Sequence, residues 1–146
     1  MDPRTQYRVA KVQGASPLRL IILLYEQLIE DLRQAVKAVE EGAVEKRSNE
    51  INHAISVIAF LQDHLNYEAG GKVALYLRNF YDQLRARCIE AQACASTGIL
   101  LQQITDLLSL REAWIEVERA EGAAAAGPAH TAGETAPAPR RSDWKV

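Results

Sequence analysis

Between Pro17 and Gly122 the chain holds only four glycines, Gly42, Gly70, Gly71 and Gly98, and no proline. Few features constrain a fold more, because these two residues are the strongest local interruptions of regular backbone. They divide the middle of the chain into stretches 17–41, 43–69, 72–97 and 99–121. Each is longer than a typical helix and far longer than a typical strand. Within each, apolar residues recur every three or four positions instead of alternating. The first carries Ile21, Tyr25, Leu28, Leu32, Ala35 and Val39; the second Ile51, Ala54, Ile55, Ile58, Leu61 and Leu65. The third offers Val73, Leu77, Phe80, Tyr81, Leu84 and Cys88; the fourth Leu100, Leu101, Ile104, Leu107, Leu108 and Ile115. Short connections between long amphipathic helices make them antiparallel neighbours. The expected fold is all-α, an antiparallel up-down four-helix bundle with a short N-terminal segment.

Local chemistry marks the boundaries. Ser16-Pro17 places an N-cap hydroxyl before a proline at the first helical position, where its missing N–H costs nothing. Gly70-Gly71 supplies a positive φ and is expected to reverse the chain. Ser96 and Thr97 compete to cap the fourth helix. Arg19 lies in a first turn, where the helix dipole disfavours a cation, and nothing local accounts for it. Past Glu121 the composition changes: residues 122–146 include eight alanines, three glycines and three prolines. Such a segment cannot bury enough surface to offset its ordering entropy. The expected organisation is a helical-bundle domain over 1–121 and a disordered tail over 122–146. Trp144 beside Arg140 and Arg141 is a candidate docking motif there, with a solvated tail residue as the simpler reading.

Composition removes several functions. Lysine and arginine total 17 against 19 acidic residues, for a net charge of -2, which lacks the basic footprint of a nucleic-acid coat. The longest apolar run, residues 20–25, is far short of the ~18 residues of a membrane span. Residues 1–11 are polar and show no secretory leader. Cys88 and Cys94 stand six residues apart on one helix, a rise of ~9 Å, beyond the ~7 Å over which Cα atoms can be bridged. Reduced thiols and a cytoplasmic location are expected.

Bundles can carry chemistry on side chains of facing helices. A di-iron carboxylate site needs Glu-x-x-His on two helices and a further glutamate on each of two others. Glu50 and His53 form the one such spacing in the chain. His53 lies about 140° around its helix from Ile58, so a solvated histidine is expected. Histidine phosphotransfer bundles place a lysine and a glycine three and four positions after the histidine; here Ser56 and Val57 stand there. Phosphotransfer through His53 stays open as an alternative, as does a structural dimerisation module. No Gly-rich phosphate loop or nucleophile arrangement is present. Glu26, Glu30, Asp31, Glu40 and Glu41 read as a solvated face. Neither an enzyme, a metal nor another cofactor is expected.

The anomaly is surplus apolar surface. A bundle helix needs one apolar stripe and a polar back. In the first helix Leu18, Leu20, Ile21, Ile22, Leu23 and Leu24 cover almost the whole circumference, with Leu23 about 200° and Leu20 about 260° from Ile21. Val57 and Phe60 on the second helix, Leu75 and Tyr76 on the third, and Leu110, Trp114 and Val117 on the fourth also widen their stripes. Either neighbouring helices and residues 1–15 cover these positions, or they join into grooves for a partner helix.

Three blocks then carry a family resemblance. The run Ala15-Ser16-Pro17-Leu18-Arg19-Leu20-Ile21-Ile22-Leu23-Leu24-Tyr25-Glu26 resembles the opening of the flagellar export chaperone family FliS. Glu68-Ala69-Gly70-Gly71-Lys72-Val73-Ala74-Leu75-Tyr76-Leu77 with Phe80-Tyr81-Asp82, and the closing Leu110-Arg111-Glu112-Ala113-Trp114, follow in the family's order across roughly residues 7–118. The chain departs at Glu26 and Gln27, where the family usually has an aspartate and a glycine, and at Tyr76, where asparagine is common. The resemblance implies a cytoplasmic chaperone that binds the disordered C-terminal region of flagellin, blocks premature assembly and presents the subunit to the export apparatus. It implies no nucleic acid and no membrane insertion. It also implies that the N-terminal segment, with Tyr7 at the matching tyrosine, occupies part of the groove when the client is absent. Together with the apolar surplus it gives Tyr7, Leu20, Leu23, Val57, Phe60, Tyr76 and Leu110 as the expected partner-binding residues.

Overall fold

A computed structural model of the chain describes residues 3–12, 14 and 16–126. Helix α1 spans Pro3–Val12, α2 Pro17–Glu40, α3 Val44–Asp63, α4 Tyr67–Cys94 and α5 Thr97–Ala126. No strand occurs among the described residues. The all-α bundle is as expected, and the N-terminal segment adds a helix of its own.

Helix α2 begins where its local chemistry says it should: the Ser16 hydroxyl accepts the Arg19 N–H at 3.1 Å, with Pro17 in the first turn. It packs most closely on α3 and α5 and also touches α1. That central place accounts for its apolar circumference, because a helix apolar all round is a helix covered all round. Leu18, Leu20, Ile21, Ile22 and Leu24 are buried, and of the run only Leu23 is exposed, at 40%. Most of the surplus read on this helix is therefore core.

Two ion pairs fix the α2–α5 register. Arg19 Nε donates to Glu118 at 2.9 Å, and its second nitrogen reaches the other carboxylate oxygen. Seven residues along α2 and seven back along α5, Arg111 donates twice to Glu26, at 3.0 and 2.5 Å. Equal steps in opposite directions are what antiparallel helices require. They also explain Arg19, whose unfavourable place on its own helix dipole is offset by a carboxylate on another helix.

The chain reversal between α3 and α4 is not at the double glycine. Helix α3 ends at Asp63, and the turn occupies residues 64–66. Asn66 then caps α4, its side-chain oxygen accepting the Ala69 N–H at 2.9 Å. Gly70 is buried inside the helix, and Gly71, at φ 51 and ψ −123, kinks it. A positive φ is used here, as expected, but to bend a helix. At the next boundary Ala95 is left-handed at φ 50, and Ser96 wins the capping competition by accepting the Ile99 N–H at 3.2 Å. Helix α5 continues through Gly122 to Ala126, carried by alanines, which favour helix most. The rest of the expected tail, with Arg140, Arg141 and Trp144, lies outside the described residues.

The core closes on three aromatic rings. Tyr25 of α2 and Tyr81 of α4 are fully buried, edge to face with centroids 6.4 Å apart, and their hydroxyls share a 2.7 Å hydrogen bond. Trp114 of α5 also reaches the Tyr25 hydroxyl and is only 3% exposed, so it belongs to the core and not to a surface flank. Burial raises both phenols well above their ordinary range. Cys88 and Cys94 are both free thiols, and burial pushes Cys88 up to about 12.

Candidate functional site

The expected binding residues divide between two seams of the bundle. On the α2–α3 seam, Leu20 and Leu24 lie with Phe60 and His64 around a small pocket of about 20 Å³. Phe60 is half-buried and stacks on the His64 ring, with centroids 4.0 Å apart. Leu20 is buried, at 4% exposure. Helix α1 touches both α2 and α3. Leu23 faces outward one turn along. Val57, expected on the groove wall, is fully buried in the core instead; a wheel angle cannot separate a groove from a helix–helix seam. Tyr7 lies on α1, with its side chain outside the described residues.

The α4–α5 seam is different. These helices pack less closely than α2 does on its neighbours, and an open groove of about 320 Å³ runs between them. Phe80, Gln83, Leu84 and Arg87 form the α4 wall; Gly98, Ile99, Gln102, Gln103 and Asp106 form the α5 wall. One turn beyond Phe80 stands Tyr76, 61% exposed. One turn beyond Asp106 stands Leu110, half-buried against the core. Antiparallel helices bring these two expected residues to the same end of the groove. The groove's middle was not foreseen: Phe80 looked like an ordinary stripe residue, and Ile99 and Gln103 were not singled out.

Asp31 and His53 need correction. Asp31 was read as part of a solvated face but is only 3% exposed. His53, read as solvated, is half-buried with Nδ1 2.5 Å from Asp31 Oδ2. Gln27 donates to the other carboxylate oxygen at 2.8 Å. Burial pushes the Asp31 carboxyl above its ordinary value, and the bonds from His53 and Gln27 pull it part of the way back. Glu26, from the same expected face, is bound to Arg111. Among the described residues no three potential metal ligands of the His, Cys, Asp and Glu type converge. No described helix is long and apolar enough to cross a membrane.

A helical bundle with apolar-edged grooves along two seams, one of them touched by the chain's own first helix, belongs to the class of helical binding proteins. The sequence model of the family described as Flagellar protein FliS matches residues 1–121, and the chain belongs to that family. It is 34% identical to the flagellar secretion chaperone FliSB of Pseudomonas aeruginosa over 105 residues, covering 72% of this chain and 83% of that one. It is 26% identical to the flagellar secretion chaperone FliS of Bacillus subtilis over 120 residues, covering 82% and 89%. Against the flagellar secretion chaperone FliS of Salmonella typhimurium the identity is 30% over 108 residues, covering 73% and 79%. The family's role is that of a chaperone, which requires no catalysis.

Proposed function

We propose that the chain is a cytoplasmic export chaperone whose client is the C-terminal region of flagellin. The client folds into helical segments along the two seams, which keeps it from polymerising and holds it ready for the export apparatus. The observation that supports this reading is the α2–α3 seam: Leu20, Leu24, Phe60 and His64 line a small pocket there, and α1 touches both of its helices. A groove covered by the chain's own N-terminal helix is one that a client helix can take over. A client that must displace α1 binds with its affinity reduced by the fraction of molecules in which the groove is open. A segment that folds on binding also gives up ~2–5 kcal/mol in ordering, which the apolar seams must offset. Nothing in this reading uses nucleic acid or membrane insertion.

Titration calorimetry with a flagellin C-terminal peptide tests it. The expected result is one-to-one binding, a negative heat-capacity change and a gain in helical circular dichroism. If full-length flagellin from the same organism and this protein elute separately at micromolar concentration, the reading fails.

A further inference from the structure

Asp106 is a carboxylate without a cation. It is half-buried in the wall of the open α4–α5 groove. Its one hydrogen bond comes from the neutral amide of Gln102, at 3.0 Å, and it has no basic partner among the described residues. Three and four positions away along α5 stand only glutamines, a serine and a leucine. Across the groove, the same steps from Phe80 reach only tyrosine, leucine and glutamine. The groove's other charged side chain is Arg87, which lies seven residues along α4 from Phe80, about 10 Å. It is already paired with Glu90 on its own helix, at 3.1 Å. The closed seams treat their carboxylates differently: Glu118 meets Arg19, Glu26 meets Arg111, and Asp31 meets His53. The open groove therefore carries one uncompensated charge, and it is negative.

In the free protein, water in the open groove solvates that carboxylate. A client lying in the groove takes the water away, and a covered charge without a counter-charge is costly. We propose that Asp106 is the charge-selecting residue of the α4–α5 groove and pairs with a lysine or arginine of the bound client. This rests on the client proposed above. A basic side chain both offsets the charge and donates to the carboxylate, which makes the stronger kind of hydrogen bond. The apolar groups at Phe80 and Ile99 fix the rest of the segment. The client helix that fits carries apolar residues toward the groove and one cation at the end where Asp106 stands. A wholly apolar segment, or one with an acidic residue at that point, is rejected.

Binding of a flagellin C-terminal peptide to the full chain, at about 50 mM and about 500 mM salt, tests this with two variants. Asp106→Asn keeps the shape and can still accept from Gln102. It should bind about fivefold more weakly at the lower salt with its thermal midpoint unchanged, and the gap should narrow at the higher salt. Asp106→Lys should bind more weakly still, because it meets the client's cation with a like charge. Peptides with each lysine or arginine changed in turn to glutamate then locate the partner. One of them should bind Asp106→Lys better than the native peptide does, a rescue that a merely structural role for Asp106 does not produce. Asp106→Asn binding within about twofold of the native chain at both salts would overturn the selection. A loss in both variants that no glutamate peptide rescues would overturn it too, since Asp106 would then serve the fold or a neutral donor. A native chain that binds no peptide at all would instead remove the client reading, and the selection with it.

Discussion

Two polar side chains are buried among the described residues, one on each seam, and their fates differ. Asp31, on the α2–α3 seam, is held by Gln27 and His53. Gln103, on the α4–α5 seam, lines an open groove. The first seam is close-packed and meets α1; the second is an open groove of about 320 Å³. A seam that is complete in the free protein must be opened before it binds anything. A seam with open volume needs no such opening. One chain thus presents a close-packed seam and an open one.

Both seams share the Tyr25–Tyr81–Trp114 cluster, so breaking it should disable them together. Trp114→Ala removes the α5 ring from that cluster and should cost about 3–5 kcal/mol, read from denaturant unfolding. A loss under 1 kcal/mol would mean that the seams are independently supported. Removing residues 1–14 should separate them. Affinity for the flagellin peptide should rise several-fold if α1 competes with the client for the α2–α3 groove. A fall in affinity would mean that α1 holds the client directly.

Acid should distinguish the seams as well. The Asp31 carboxyl is raised from its ordinary 3.8 by burial, so the folded state holds that proton more tightly than the unfolded chain does. Its contribution is therefore largest at low pH and is lost as pH rises through the range just above the ordinary value. Asp31→Asn removes this dependence, so the variant should gain on the native protein between about pH 4 and pH 7. Urea midpoints at the two ends check the sign, and a variant-minus-native difference that falls on going to neutral pH would contradict it. The smallest effect is expected from removing residues 127–146, which should change stability by about 0.5 kcal/mol or less and leave peptide binding intact. A larger loss of either would assign Trp144 a docking role.

The helices were legible because glycine and proline interrupt the chain so seldom and the apolar spacing between them is helical throughout. The turn after α3 was not, since Asn66 caps from within a stretch that carries no glycine, while the conspicuous pair at Gly70 and Gly71 only bends α4. Periodicity also could not tell how many neighbours a helix has. Leu18 and Ile22 looked like surplus until α3, α5 and α1 were seen around α2, and Val57 went into the core for the same reason. Tyr76 and Leu23 were found correctly as exposed apolar residues, because both stand on helix faces that no other helix covers. Asp31 and His53 are the clearest failures of single-helix reasoning. Each is polar on its own helix, and only the antiparallel α2–α3 register makes them partners. Gln103 could not be singled out from residue type at all; its place in the groove comes from how α4 and α5 pack.

Spin-label distances on a Cys94→Ser background, where buried Cys88 stays unreactive, test the α2–α3 seam most directly. One pair of labels spans the α1–α3 contact, at Val9→Cys and Ser56→Cys; the other spans the open groove, at Asn79→Cys and Ser109→Cys. Saturating flagellin C-terminal peptide should move the α1–α3 distance to longer values and leave the α4–α5 distance unchanged. An α1–α3 distance that stays put while the peptide is bound would contradict the account, because α1 would then be a fixed part of the bundle and not a cover the client displaces.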